Sequence, residues 1–153
     1  WLRRAGRRSE AEETLAKALA KNPESAPVHL DRALLARDRG DTKAALASFE
    51  EALRLRPMHA ATRIAYAREL LEHKRHDEAI ALLAPVTEAG SNDRRARALA
   101  ALGQAYAVAG RGPEARAAFE KAVERAPAIA SIWARVSLAT EPWWARASTN
   151  SAP

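Results

Sequence analysis

Small and bulky apolar residues return along the chain at a fixed interval. Ala11, Ala45, Ala79 and Ala115 stand 34, 34 and 36 residues apart, and the sets Leu15, Phe49, Leu83, Phe119 and Ala18, Ala52, Val86, Ala122 keep the same spacing. Within each unit the three members fall at i, i+4 and i+7, which is one face of an α-helix and not of a strand. Pro23, Pro57 and Pro127 close three units, with Ser91 in the remaining slot; Gly6, Gly40 and Gly110 mark turns inside them, with Lys74 in the odd position. The period is 34, with one two-residue insertion between Val86 and Gly110. The stretch Thr87 to Arg95 is its natural place, because Gly90, Ser91 and Asn92 carry turn and helix-capping chemistry.

Each unit reads as two helices of about 12 to 15 residues. In the clearest one Leu99, Leu102, Gly103 and Tyr106 line a first helix, Gly110 ends it, Ala115, Phe119 and Ala122 line a second, and Pro127 stops that. Small residues such as Gly103 and Ala115 let the two helices approach, while Tyr106 and Phe119 fill the space beside the contact. The pattern Leu-x2-Leu-Gly-x2-Tyr, Ala-x3-Phe, Pro resembles the tetratricopeptide repeat family. That resemblance implies an all-α, right-handed α-solenoid of helix-turn-helix repeats over residues 1–140. It divides into a partial repeat (1–23), full repeats at 24–57, 58–91 and 92–127, and a capping helix (128–140) with Trp133 and Val136 in first-helix slots. Residues 141–153 form a tail whose Trp143 and Trp144 either fold back on the last pair or begin a contact with a neighbour.

Three positions depart from the family pattern. His29, Arg32 and Arg63 occupy slots usually filled by large apolar residues, so Leu30 or Leu34 is expected to take over packing in that first helix. At the start, the turn expected at Gly6 leaves the helix that should cover Leu15 and Leu19 at less than half its length. Further repeats or another domain are therefore expected before Trp1.

Composition narrows the function classes. Of 153 residues, 48% are hydrophobic and 29% charged, the balance of a folded soluble domain. Cysteine is absent, which excludes thiolate metal sites, disulfides and thiol nucleophiles, and 39 Ala with 20 Arg against 6 Gly favour helix. No apolar run reaches the length of about 20 residues needed for a membrane span. His73, His76 and Asp77 could present metal ligands, but they fall at a turn where polar residues are simply solvated; His29 with Asp31, and His59, offer no better set. With no phosphate loop, nucleophile elbow or His-Glu-x2-His motif, the sequence assigns no catalytic residue, cofactor or metal, and localisation stays open between cytoplasm and periplasm.

In the tetratricopeptide family the first helix of each pair lines a concave groove. Carried over residue by residue, the resemblance implies a peptide-binding face of Leu30, Leu34 and Arg37, then Ile64, Arg68 and Leu71 with Glu72, then Arg97, Ala101, Gln104 and Val108, and lastly Arg135 and Leu138. Arg37, Arg68, Arg97 and Arg135 are planar cationic forks suited to carboxylates, so the expected partner is a protein or peptide with acidic residues. No groove slot carries the Lys and Asn of a co-chaperone carboxylate clamp. The expected role is a non-catalytic interaction scaffold within a larger assembly, secretion or biogenesis protein. A net charge of +6 raises a second reading, a basic solenoid that binds nucleic acid. Its clusters, Arg3, Arg4, Arg7, Arg8 and Arg94, Arg95, Arg97, lack interleaved aromatics that could stack bases, which counts against it. A third reading is a structural spacer or self-association unit of a larger protein.

Overall fold

The computed structural model describes residues 2–126, with side chains from residue 9 onward. The capping helix expected at 128–140 and the two tail tryptophans lie outside the described residues. Among the described residues there are seven α-helices and no strand. Contacts divide the chain into two units. The first holds α1 (Leu2–Lys21), α2 (Ala26–Asp38), α3 (Thr42–Leu55) and α4 (Ala60–Glu72). The second holds α5 (His76–Leu83), a 3-10 turn at Ala84–Val86, α6 (Asn92–Val108) and α7 (Gly112–Arg125).

Local chemistry sets the helix ends. Ser25 precedes α2 in extended backbone with Pro27 in the first turn, and the Asp41 carboxylate caps α3 by accepting from the Ala44 N–H at 3.0 Å. Helices α2, α4 and α6 all end in one way. Gly40, Lys74 and Gly110 take positive φ of 75°, 60° and 77°. The following N–H then reaches five residues back: Asp41 donates to the Ala36 carbonyl at 3.0 Å, Arg75 to Leu70 at 2.9 Å and Arg111 to Tyr106 at 2.9 Å. Lys74, the odd residue of the glycine series, thus adopts the glycine conformation despite its Cβ.

Two expectations about helix length are corrected. Helix α1 runs unbroken from Leu2 to Lys21, so no turn forms at Gly6. Continuing the helix through glycine costs only about 1 kcal/mol. Helix α5 has 8 residues, short of the expected length, because Pro85 lacks an N–H and its ring crowds the preceding turn. A 3-10 turn finishes it, sealed where Thr87 Oγ1 donates to the Ala84 carbonyl at 2.8 Å. Ser91 then stands at the N-cap of α6.

Within each unit a close approach of helices sets the packing. In the α6–α7 pair Gly103 lies so near Phe119 that a Cβ there would sit 2.9 Å from Cε1 of the ring. Their counterparts in α2 and α3, Ala33 and Phe49, are both 0% exposed, as are Ala45 and Ala52. Phe49 stacks on Tyr66 of α4 with ring centroids 5.4 Å apart, and the Tyr66 hydroxyl donates to Glu50 Oε1 at 3.1 Å.

The polar departures from the repeat pattern stay in place. His29 is buried, with Nε2 2.8 Å from the Pro23 carbonyl, and one period later Arg63 Nε donates to the Pro57 carbonyl at 2.6 Å. Each polar head is satisfied by the carbonyl of the proline that closes the preceding unit. Leu30 and Leu34 are only half-buried, while Ala33 and Ala36 are buried beside His29, so the expected transfer of packing to the leucines does not occur.

Two substitutions test this account. Gly103→Ala should cost about 1–3 kcal/mol through overpacking, and Phe119→Leu in the same chain should recover part of the loss. Lys74→Gly should raise stability by about 0.5–1 kcal/mol by relieving left-handed backbone strain. Urea unfolding followed by circular dichroism reads both.

Candidate peptide-binding surface

The expected groove residues fall in three strips. In the first unit Leu30, Leu34 and Arg37 form one face of α2, and Ile64, Arg68 and Leu71 one face of α4; the apolar members are half-buried and Arg68 is exposed. In the second unit Arg97, Ala101, Gln104 and Val108 run along α6, with Ala101 half-buried and the other three exposed. Arg135 and Leu138 lie outside the described residues. None of the ten described residues enters the core.

Ion pairs are distributed unevenly between the helices. Four cations of the second helices and their turns sit in ion pairs: Lys17 with Glu13 at 2.6 Å, Arg54 with Glu51 at 2.7 Å, Arg111 with Glu114 at 2.9 Å and Arg116 with Glu120 at 2.9 Å. Arg111 also lies over the Tyr106 ring, 4.7 Å from its centroid. On the first helices Arg37 reaches only its neighbour Asp38, at 3.4 Å. No described carboxylate forms an ion pair with Arg68 or Arg97. Exposed pairs of this kind add only about 0–1 kcal/mol to stability each. Their consequence here is local, because they occupy those four cations while Arg68 and Arg97 form no ion pair among the described residues.

Two titrating groups carry the mark of these pairs. The Glu51 carboxyl is held below the usual carboxylate range chiefly by its hydrogen bond from Arg54, and Glu114 chiefly by a backbone N–H, with Arg111 adding to it. Burial lowers the pKa of Arg63, whose guanidinium holds the Pro57 carbonyl.

A buried polar cluster escaped the sequence analysis. Glu69 of α4 is 2% exposed, its Oε1 lies 3.2 Å from His73 Nε2, and that nitrogen lies 3.1 Å from Thr42 Oγ1 at the start of α3. The signal available was a carboxylate and an imidazole four residues apart. His73 is thereby engaged in tying α4 to α3, and among the described residues no three His, Asp or Glu side chains gather as a metal site. No described helix is long and apolar enough to cross a membrane.

The paired helices, their glycine-type turns and the small-against-ring contact define a helical repeat protein. Tetratricopeptide repeat family models match residues 2–60, 36–102 and 96–129, and the chain belongs to that family. Its fold is an α-solenoid of tetratricopeptide repeats, a class that generally serves as a non-catalytic protein-interaction module. Among solved structures it resembles PilF of Pseudomonas aeruginosa, with a TM-score of 0.73 and 26% identity over 81% of this chain and 56% of that one. MamA of Desulfovibrio magneticus RS-1 matches at a TM-score of 0.63 and 29% identity, covering 82% of this chain and 71% of that one. YrrB, a TPR protein with an unusual peptide-binding site, matches at 0.66 and 24% identity, covering 80% and 62%, which is a likeness of fold alone. The chain thus spans little more than half the length of the PilF chain. No curated protein sequence matches it.

Acid should act on the second-helix pairs. A depressed folded pKa gives stability that is present above the unfolded value and lost as pH falls through the folded one. The double variant Glu51→Gln/Glu114→Gln is therefore expected to melt below the parent at neutral pH, and the gap should close below about pH 4. Thermal melts across pH check this; a gap that persists in acid would show the pairs to be inert.

Proposed function

We propose that the first-helix strips, each within its own unit, bind extended or helical segments of a protein partner that present carboxylates. The family supplies the general role of a protein-interaction scaffold. The observation that carries the finer reading is that Arg68 and Arg97 stand exposed, with no ion pair among the described residues, beside half-buried Ile64, Leu71 and Ala101. Guanidinium forks over shallow apolar surface favour a ligand that alternates acidic and apolar side chains, because a carboxylate accepts two parallel N–H bonds while the apolar members leave water. Such a module suits a larger assembly in which it holds one component against another and takes no part in chemistry.

The test uses a fluorescein-labelled ten-residue peptide alternating Leu and Glu. Arg68→Glu/Arg97→Glu should weaken its binding about tenfold in fluorescence anisotropy, with helix content unchanged by circular dichroism. Equal affinity for parent and variant would remove these strips from the account, and equal affinity for a Leu-Lys peptide would remove the charge selectivity.

A further inference from the structure

A cavity of about 340 Å³ opens in the first unit between α1, α2 and the start of α3. It is large enough for a side chain of a ligand, at the low end of the roughly 300–1,000 Å³ of small-molecule sites. Leu15, Leu19, Leu35 and Ala36 supply an apolar floor, with Glu12, Arg32, Arg39 and Asp41 around it.

The repeat explains why the space is there. One period on, Leu15 corresponds to Phe49 and Arg32 to Tyr66, and those two rings stack to fill the contact between α3 and α4. At the contact between α1 and α2 the first ring is replaced by a thinner aliphatic side chain and the second by an arginine that stays exposed. Tyr66 and Leu102, which occupy the Arg32 slot in the other two repeats, are both 8% exposed. With Arg32 exposed, the volume that Tyr66 fills beside Phe49, and Leu102 in the last repeat, is left open.

The charges around the cavity are already spoken for, with one exception. Glu12 pairs with Arg39, and the Asp41 carboxylate accepts from the Ala44 N–H at 3.0 Å. Arg32 makes no ion pair among the described residues. Arg32, Leu35, Ala36 and Arg39 also lie about 200° around α2 from the strip of Leu30, Leu34 and Arg37, at roughly 100° per residue.

We propose that this cavity is a second binding site, which receives an aromatic side chain of a protein partner with a carboxylate beside it. The ring takes the place that Tyr66 holds one repeat later, packing on Leu15, Leu19 and Leu35, and the carboxylate pairs with the Arg32 guanidinium. The site does not depend on the first-helix strips.

The probe is N-acetyl-Asp-Phe-amide, with N-acetyl-Asp-Ala-amide and N-acetyl-Lys-Phe-amide as comparisons, titrated into the nitrogen-15-labelled protein. Only the first should shift the amides of Leu15, Leu19 and Leu35. Arg32→Gln should weaken it about three- to fivefold, the worth of one exposed charge pair. Leu15→Phe/Arg32→Tyr rebuilds the ring pair and should abolish binding while raising the melting temperature; Ala16→Phe, which blocks the cavity from an exposed position on its wall, should abolish it without touching the floor. Arg68→Glu/Arg97→Glu should leave probe binding unchanged, so failure here and failure of the first-helix reading are separable. Equal shifts from all three probes, or binding that survives both filled variants, would overturn the proposal. So would dilution-dependent shifts of the same amides without probe, since a second copy of the chain would then be the occupant.

Discussion

The distance between paired helices is the constraint from which the rest of the structure follows. At Gly103 the backbone of α6 meets the Phe119 ring with no room for a methyl group, and in the first unit the counterparts Ala33 and Phe49 are both fully buried. Helices this close leave little room for branched side chains on both sides, and most of the buried apolar residues are alanine. The same closeness demands a three-residue return between helices. That return is why the left-handed caps at Gly40, Lys74 and Gly110 recur with the same carbonyl pairing.

Where the pattern is broken by polar residues, backbone carbonyls absorb the break. His29 and Arg63 keep the inward direction of the residues they replace because the proline that ends each preceding unit leaves a carbonyl with no intrahelical donor. Arg32 finds no such carbonyl and stays in water, and its absence from the core leaves the open cavity. Two kinds of polar substitution in one repeat therefore have opposite outcomes, decided by whether an acceptor lies within reach.

The repeat period, the helix pairs and the turns at Gly40 and Gly110 were legible from the sequence, since one period of small and large residues reports one contact made again and again. The turn at Lys74 was legible only through its place in the series, as nothing in a lysine favours positive φ. What could not be read is what depends on a missing or competing neighbour. The helix runs on through Gly6 although the glycine keeps its place in the series; Pro85 shortens α5 although the apolar spacing continues through Val86. The strips came from the resemblance to the tetratricopeptide family, carried over residue by residue. That Arg54 and Arg111 are occupied while Arg68 and Arg97 are not is a matter of rotamer and position that composition cannot tell, because Glu72 stands four residues from Arg68 without pairing to it. Arg32 was visible as a departure, but the space it leaves emerges only on comparing its surroundings with those of Tyr66.

An alanine core has a thermodynamic signature of its own. Each buried alanine removes a single methyl from water, so the apolar area exposed on unfolding is small for the length of helix. The heat-capacity change, which grows by about 0.45 cal/mol/K per Å² of apolar surface, is correspondingly low. A low heat capacity flattens the dependence of stability on temperature and moves cold unfolding away from the working range. Tight packing of small residues thus gives these helices a broad thermal plateau.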